Sequence, residues 1–362
     1  MRVRAASIRS YRNRFVVAVA ILAAVAPTLA APRLGAQSVT PQSSPPKALD
    51  YQGAVNAAYE KYKNLREGKN ADYIPALAKV DANLFGIALV TPDGKVYTAG
   101  DVTSEVSIQS VSKVFTMARV MQQSGDSALE NNIGVDATGQ VFNSIYAIEQ
   151  HKGQEINPLV NPGAITTTSM IQGADANAVW GTIIGTLNAF AGRSLSVNQE
   201  VYASEAATNQ RNQAIAQLMY AYGRIKSDPK QATDLYTRQC AVNVNARDLA
   251  VMAGTLANEG MNPLTSKQAV SAEHVPGILA VMATAGLYDD SGKWLFATGL
   301  PAKSGVGGGL IAVSPGRFGI AVVSPPLDSA GNSVRGQKAI ADISAALFGN
   351  PYMAGAKTVA KK

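Results

Sequence analysis

Two short motifs, about half a chain apart, constrain this sequence more than any other feature. The first is the tetrad Ser110-Val111-Ser112-Lys113, and the second is Lys303-Ser304-Gly305, followed at once by Val306-Gly307-Gly308-Gly309. Residues three apart on a helix share a face, so Lys113 can reach the Ser110 hydroxyl. A serine hydroxyl is a poor nucleophile unless a base lies beside it. The tetrad therefore predicts a serine nucleophile activated by lysine.

The Ser-x-x-K pattern alone is weak evidence, because it occurs three times in this chain. The copy at Ser44 lies in a Pro/Ser-rich stretch that cannot be helical, and the copy at Ser227 contains a proline and predicts a turn. Only Ser110 opens a run with helical periodicity, whose apolar members are Val111, Val114, Phe115, Ala118 and Met121. This run predicts a helix packed into the core, with Ser110 at its N-terminus, where backbone N–H groups favour developing negative charge. The alternative is that Ser110 merely begins a helix.

The net charge of +7 invites a nucleic-acid interpretation, but the position of the charges argues against one. Residues 1–36 hold six arginines and no acidic residue, so the remaining 326 of the 362 residues carry a net charge of only +1. A surface that binds phosphates therefore has little support, and we expect no nucleic-acid partner.

The first 36 residues have the pattern of a secretory signal peptide. A basic segment ends at Arg14, an apolar run follows, and small residues allow cleavage after Ala30 or Ala36. Residues 37–47 are rich in Ser, Pro and Gln and predict a flexible linker. We therefore expect a periplasmic or secreted protein with no membrane segment after cleavage. The alternatives are an uncleaved membrane anchor and a cytoplasmic protein.

Cysteine and histidine are too few to form several familiar kinds of site. Cys240 is the only cysteine, so an intramolecular disulfide is impossible, and it is expected to be a buried apolar residue. The two histidines, His151 and His274, are far apart in sequence and suggest neither a zinc site nor a Ser-His-Asp relay. We expect no metal and no cofactor, and the base must be a residue other than histidine.

Periodicity along the chain predicts an α/β protein of the α+β kind. A mainly antiparallel sheet, flanked by helices, lies beside a helical lobe, and the site lies in the cleft between them. The main domain spans 48–350, with a sheet lobe at 48–105 and 290–350, a helical lobe at 106–289, and a basic tail at 351–362. The predicted helices are 48–67, the run after Ser110, 179–191, 206–222, 246–258 and 332–348, and the predicted strands are 84–90, 95–99, 303–314 and 318–324. The glycines at 307–309 are expected to let a substrate approach an edge strand closely.

Several segments, taken together and in order, resemble the bacterial glutaminase family, which is serine-dependent and has the β-lactamase/transpeptidase-like fold. The resemblance covers about 50 to 350. It rests on Ala71–Ala78, Ser107–Lys113, Asn157-Pro158, Asn161–Ile165, Ser204–Thr208, Arg211-Asn212, Leu235–Cys240, Met252–Asn258, Gly286–Asp289 and Gly299–Gly309. It implies hydrolysis of L-glutamine to L-glutamate and ammonia. We also expect a homodimer or a homotetramer.

The resemblance implies a role for each of eight residues. Ser110 matches the family nucleophile, Lys113 its activating lysine, and Tyr236 a tyrosine that relays protons. The residues that match the glutamine pocket are Ser110, Asn161, Glu205, Asn212, Tyr236, Tyr288 and Val306. Val306 would act through its backbone N–H, which with that of Ser110 would hold the oxyanion. Glu205 suits the substrate α-ammonium.

Three of these residues have simpler explanations. Glu205 could be a solvated acid near the start of a helix, Asn161 a turn residue before Pro162, and Tyr236 a core tyrosine with a satisfied hydroxyl. The family usually has alanine where this chain has Pro162, which would stiffen the loop that carries Asn161.

The nearest rival function is a β-lactamase or penicillin-binding protein, for which Ser-x-x-K with Lys-Thr-Gly is typical. Class A enzymes also need a Ser-Asp-Asn element, which this chain lacks, although Ser196-Val197-Asn198 is a formal Ser-x-Asn match. Tyr236-Thr237-Arg238 lacks the asparagine of a Tyr-x-Asn element. A second rival is an inactive ligand-binding protein of the same fold, against which the joint presence of Ser110, Lys113 and Tyr236 argues.

Overall fold

The computed structural model describes residues 49–353. The predicted signal peptide, all of the predicted linker and most of the predicted basic tail lie outside this range. Within it, no helix is both long enough and apolar enough to cross a membrane.

Helices make up about half of the described chain, and several begin at a residue whose side chain caps the first turn. Asp50, Ser144, Asp175, Asn198 and Asn245 each accept a backbone N–H at a helix start, which satisfies one of the free donors there. The helices are α1 (Tyr51–Tyr62), α2 (Pro75–Ala78), α3 (Ser112–Ser124), α4 (Asp126–Asn132), α5 (Ile145–His151), α6 (Asn161–Ser169), α7 (Ala176–Ala191), α8 (Gln199–Thr208), α9 (Gln210–Ala221), α10 (Pro229–Cys240), α11 (Ala246–Ala257), α12 (Val275–Ala285), α13 (Ser291–Thr298) and α14 (Val334–Ala346).

The strands form one five-stranded sheet and one short ribbon, and every pair is antiparallel. The sheet has the order β2-β1-β7-β6-β5, so its first strand along the chain, β1, is paired with its last strand, β7. In the ribbon, β3 pairs with β4. The strands are β1 (Gly86–Val90), β2 (Val96–Gly100), β3 (Val106–Ser107), β4 (Asn243–Val244), β5 (Ala302–Ser304), β6 (Gly309–Ser314) and β7 (Phe318–Val323). The predicted mixed fold with a mainly antiparallel sheet is confirmed.

Both faces of the sheet are buried, which explains why its inner strands are almost continuously apolar. Successive side chains point to opposite faces. Ile87 and Leu89 of β1 pack in the core that contains residues of α1 and α14, whereas Ala88 and Val90 pack in the core that contains residues of α11 and of the helices beyond it. Helix α11, which the sequence places in the helical lobe, therefore shares one core with the sheet.

The predicted strand at 303–314 is wrong, because the chain reverses in the middle of it. Strands β5 and β6 pair with each other, and Gly305–Gly308 forms the turn between them. A β-carbon on Gly307 would meet the Ser107 carbonyl oxygen at 2.3 Å, and Gly308 has a φ of +94°. The glycines thus let the turn lie against the segment before Ser110, whereas the sequence suggested that they admit a substrate.

The predicted helix at 206–222 is also wrong, because it is divided at Asn209. Helix α8 ends at Thr208 and α9 begins at Gln210. The Asn209 side chain donates to the Thr237 hydroxyl of α10 and accepts from Gln213. The bond to Thr237 gives the Asn209 side chain a partner at the point where the helix is interrupted. Because Thr237 is distant in sequence, hydrophobic periodicity could not reveal this break.

Candidate active site

Ser110 lies on a short 3-10 turn, Gln109–Val111, that leads directly into α3. Gln109 immediately before it has a φ of +47°, a left-handed conformation that is uncommon for residues other than glycine. Ser110 itself is only 7% exposed. The local chain path therefore holds one serine at the start of a core helix, close to the position that the sequence predicted.

The turn between β5 and β6 lies directly against Ser110. A β-carbon on Gly305 would come within 3.3 Å of the Ser110 nitrogen, so a side chain at this position would separate the two segments. Among the described residues, neither the Ser110 N–H nor the Val306 N–H donates a hydrogen bond to another backbone group. Two free donors therefore lie on adjoining segments beside the Ser110 side chain.

A cavity of about 270 Å³ opens at Ser110. Six of the eight predicted site residues line it, and the two others, Lys113 and Tyr288, are buried next to lining residues. The lining residues are Tyr73, Gln109, Ser110, Phe142, Asn143, Asn161, Glu205, Thr208, Asn209, Arg211, Asn212, Tyr236 and Val306. The structure thus brings all eight residues together from five α-helices, two 3-10 turns and the turn between β5 and β6.

Asn161 connects the predicted residues to one another. Its Oδ1 accepts hydrogen bonds from Lys113 Nζ at 2.7 Å and from the Tyr236 hydroxyl at 3.2 Å, and its Nδ2 donates to Asn212 Oδ1 at 2.9 Å. Asn161 is the first residue of α6 and is buried, with Pro162 following in the first turn. Its side chain bonds three other site residues, which a simple turn residue would not do.

Lys113 is buried at 1% exposure, and it has no carboxylate among its hydrogen-bond partners. Burial disfavours the charged amine and lowers its pKa to about 8, although the charge of Glu205 opposes the shift. Its Nζ donates to Asn161 and, at 3.4 Å, to the Leu159 carbonyl oxygen. Within the described chain it makes no hydrogen bond to Ser110. The structure thus shows an amine whose pKa is lowered toward neutral pH and which two acceptors already orient.

Glu205 is a buried residue within α8, at 6% exposure, and is not a solvated acid at a helix start. Burial raises its pKa to about 7, opposed by a hydrogen bond from Gln109 Nε2 and by the charge of Lys113. An ionised carboxylate in so dry a position needs a cationic or donor partner. The cavity therefore offers an acceptor that favours a positively charged ligand group.

Tyr288 and Lys303 form a second buried layer next to Ser110. The Tyr288 hydroxyl donates to the Ser304 carbonyl oxygen at 3.3 Å, and burial raises its pKa to about 12, with Ser110 and Ser304 opposing the shift. Lys303 Nζ lies 4.0 Å from the centre of the Tyr288 ring and donates to the carbonyl oxygens of Gly286 and Ser304. Burial, and then the nearby charge of Lys113, hold the pKa of Lys303 well below its usual range. The lysine of the K-S-G triad thus packs on the face of a site tyrosine.

Sequence reasoning missed several residues of the cavity wall. Gln109 is the clearest case, since its side chain donates to Glu205. Its position next to Ser110 in sequence was the signal that could have found it. Tyr73 lies in the matched segment Ala71–Ala78, but its distance from Ser110 in sequence concealed its place in the wall. Within the described chain, no group of three or more histidine, cysteine or acidic residues is placed to hold a metal ion.

A buried serine at the start of a core helix, a buried lysine one turn later and two free N–H groups define the class of protein. This constellation, on an antiparallel sheet flanked by helices, fits the amidohydrolases of the β-lactamase-like fold. A family model described as Glutaminase matches residues 68–350. The chain belongs to the glutaminase family.

Individual relatives agree with the family match. A glutaminase of Colwellia psychrerythraea is 54% identical over 301 residues, which cover 83% of this chain and 97% of the relative. The solved structure of the probable glutaminase ybaS superposes with a TM-score of 0.81 at 47% identity, covering 82% of this chain and 96% of the other. The crystal structure of Mglu in its glutamate form superposes with a TM-score of 0.77 at 35% identity, covering 81% and 67%. The comparisons favour a glutaminase over a β-lactamase or penicillin-binding protein.

Proposed function

We propose that this glutaminase hydrolyses L-glutamine to L-glutamate and ammonia through an acyl-enzyme on Ser110. The observation that carries the proposal is the joint placement of the Ser110 hydroxyl, the low-pKa amine of Lys113 and two free backbone N–H groups beside one cavity. The glutamate form of the related Mglu, which shares the fold, agrees with a site that holds the product.

Lys113 acts as the base in the first step. A neutral primary amine has two N–H donors and one lone pair, and the bonds to Asn161 and to the Leu159 carbonyl use both donors. The lone pair remains for the Ser110 proton. As that proton moves to Nζ, Ser110 Oγ bonds to the side-chain amide carbon of glutamine, and the carbonyl π bond breaks to give a tetrahedral oxyanion.

The N–H groups of Ser110 and Val306 hold the oxyanion. Donors that are already oriented toward developing charge lower the barrier, because they need not reorganise during the reaction. Val306 acts through its backbone, so its side chain is free to pack among apolar neighbours, as it does. The turn glycines keep its segment close to Ser110.

Collapse of the tetrahedral intermediate releases ammonia. The C–N bond breaks as the carbonyl re-forms, and the proton held by Lys113 is delivered to the leaving nitrogen through Tyr236, whose hydroxyl shares the Asn161 acceptor with Lys113. A water molecule then gives one proton to the Lys113 amine and attacks the acyl carbon. Cleavage of the ester bond returns the proton to Ser110 Oγ and leaves glutamate.

Glu205 binds the α-ammonium of the substrate. Asn161 and Asn212 of the cavity wall, with Tyr288 buried beside it, supply neutral hydrogen bonds for the amide and carboxylate of the substrate. A charge-assisted hydrogen bond from the ammonium to Glu205 would be roughly twice as strong as a neutral one, so it should contribute much of the binding of free amino acids.

The function is tested by offering three substrates to the purified protein in parallel: L-glutamine, L-asparagine and a chromogenic cephalosporin. We expect ammonia release from glutamine. Cephalosporin turnover without glutamine turnover would instead establish the β-lactamase alternative.

We also propose that the protein is exported and then acts as a homodimer or a homotetramer. The export proposal is supported by the basic and apolar pattern of residues 1–36, and the proposed assembly is an expectation for the family. Light scattering on the purified protein, over a range of concentrations, would measure the mass of the particle in solution. A monomer at all concentrations would refute the proposed assembly.

A further inference from the structure

A buried polar network lies behind the cavity and joins the three helices that carry the reacting groups. At its centre is Gln239 of α10, which has no exposed surface. Its Oε1 accepts from the Thr116 hydroxyl of α3 at 3.0 Å and from the Thr168 hydroxyl of α6 at 3.3 Å. Its Nε2 donates to the Ser112 hydroxyl at 3.4 Å.

Each hydrogen-bond partner of Gln239 is on a helix that holds a site residue. On α10, Gln239 lies three residues after Tyr236, and on α3, Thr116 lies three residues after Lys113. Residues at this spacing share a helix face, so the network lies one turn below the reacting groups. Thr168 is on α6, the helix that begins at Asn161. One amide thus links the helices that present the base, the relay tyrosine and their shared acceptor.

The network also reaches the backbone next to the nucleophile. The Ser112 hydroxyl donates to the Gln109 carbonyl oxygen at 2.7 Å, so it can only accept from Gln239. This requirement sets the orientation of the Gln239 amide, with its nitrogen toward Ser112 and its oxygen toward the two threonines. Gln109 is the residue in the left-handed conformation immediately before Ser110. Such a conformation persists only where the surroundings hold it in place.

From this arrangement we propose that Gln239 is a positioning residue for the reaction. It holds Lys113, Asn161 and Tyr236 in register, and through Ser112 it holds the Gln109 backbone that orients Ser110. The inference rests on the proposed acyl-enzyme function. None of the hydrogen bonds of Gln239 goes to a residue that lines the cavity, so its loss should lower kcat much more than it changes KM. A displacement of about 1 Å of reacting groups can lower the rate about a hundredfold.

Gln239→Met is the informative variant, because methionine has a similar length and no hydrogen-bonding amide. The Thr116 and Thr168 hydroxyls keep the carbonyl oxygens of their own helices as acceptors, and Ser112 keeps Gln109. Few polar groups are therefore orphaned and the variant should fold. Ser112→Ala is a second variant, which removes both the bond to the Gln109 carbonyl and the acceptor of the Gln239 amide nitrogen.

Asn262→Ala is the matched control. Asn262 is another fully buried amide, and it binds backbone groups of α7 and of its own loop, none of which lines the cavity. We expect Gln239→Met and Ser112→Ala each to lower kcat for glutamine at least about tenfold, with KM within about threefold of wild type. Asn262→Ala should lower the melting temperature while kcat of the folded protein stays near wild type.

A kcat within twofold of wild type in Gln239→Met would overturn the proposal, as would an equal loss of kcat in Asn262→Ala at the same loss of stability. Should Gln239→Met fail to fold, Ser112→Ala decides by the same criterion. Wild-type protein that releases no ammonia from glutamine would overturn the proposed function, and this inference with it. Active wild-type protein with an equally active Gln239→Met would overturn this inference alone.

Discussion

The amine of Lys113 and the side-chain oxygen of Asn161 are joined by a hydrogen bond of 2.7 Å between two elements of the buried site, α3 and the first residue of α6. The bond presents a neutral acceptor, and not a carboxylate, to a buried amine. A carboxylate would stabilise the charged form and raise the pKa of Lys113. The amide orients the amine and leaves its pKa depressed, which a base at neutral pH requires.

Asn161→Asp should therefore disable the base without changing the shape of the site. The new carboxylate would raise the pKa of Lys113 from about 8, so a smaller fraction of the amine would be neutral at pH 7. We expect lower activity at pH 7 and an acid limb of the kcat/KM profile displaced to higher pH. Asn209→Asp is the control, since Asn209 lines the same cavity but bonds to Thr237 and Gln213. An unshifted profile in Asn161→Asp would argue against Lys113 as the base.

The pH dependence of the wild-type protein should have an acid limb that reflects two groups. Lys113, with a pKa of about 8, must lose its proton to act as base, and Glu205, with a pKa of about 7, must lose its proton to bind the ammonium. Both requirements fail as the pH falls, so kcat/KM should decrease below about pH 8 and more steeply below pH 7. Initial rates of ammonia release between pH 5 and 9 test this. Activity that is constant across that range would contradict both assignments.

Replacing the proposed nucleophile, Ser110, should abolish acyl-enzyme formation. We expect Ser110→Ala to lower kcat at least about a thousandfold, with a residual rate due to the oxyanion hole and to binding. The control is Ser227→Ala, because Ser227 begins another Ser-x-x-K match but is exposed and lies outside the cavity wall. Ammonia release and mass spectrometry of the quenched reaction measure both variants. Near-normal turnover by Ser110→Ala would show that another residue is the nucleophile.

Neutralising Glu205 should weaken glutamine binding and spare the acylation chemistry. A hydrogen bond to a charged group contributes about 1.5–3 kcal/mol, so Glu205→Gln should raise KM by about tenfold to a hundredfold. A reactive ester without an α-amino group should still acylate Ser110. Glu200→Gln is the control on the same helix, since Glu200 is exposed and pairs with Lys79 at the surface. A lower melting temperature with unchanged KM would instead assign Glu205 a structural role.

Export predicts a processed N-terminus. Intact-mass measurement of the protein recovered from its native host should show a chain that begins at or near Ala31 or Gln37. An intact Met1 in the cytosolic fraction would refute the signal peptide.

Much of the site could be predicted from sequence, because its residues lie in short segments with local chemical meaning. Ser110 and Lys113 are one helical turn apart, and the Lys303–Gly309 segment follows the helical region. The strands at 86–90 and 318–323 were also evident, since both of their faces are buried and their residues are accordingly apolar. Spacing and apolarity are properties of neighbouring residues, so the chain itself displays them.

Packing between segments that are distant in sequence determined the other features of the fold and of the site. The reversal between β5 and β6 depends on how closely the glycine turn approaches Ser107, and the break at Asn209 depends on a bond to α10. The left-handed Gln109 and the shared acceptor Asn161 likewise depend on partners distant in sequence. The sequence by itself determined which residue types would carry the chemistry and which helix would present the serine. Only the tertiary structure decided their burial, their hydrogen-bond partners and hence their pKa values, because desolvation and pairing arise when separate segments pack together.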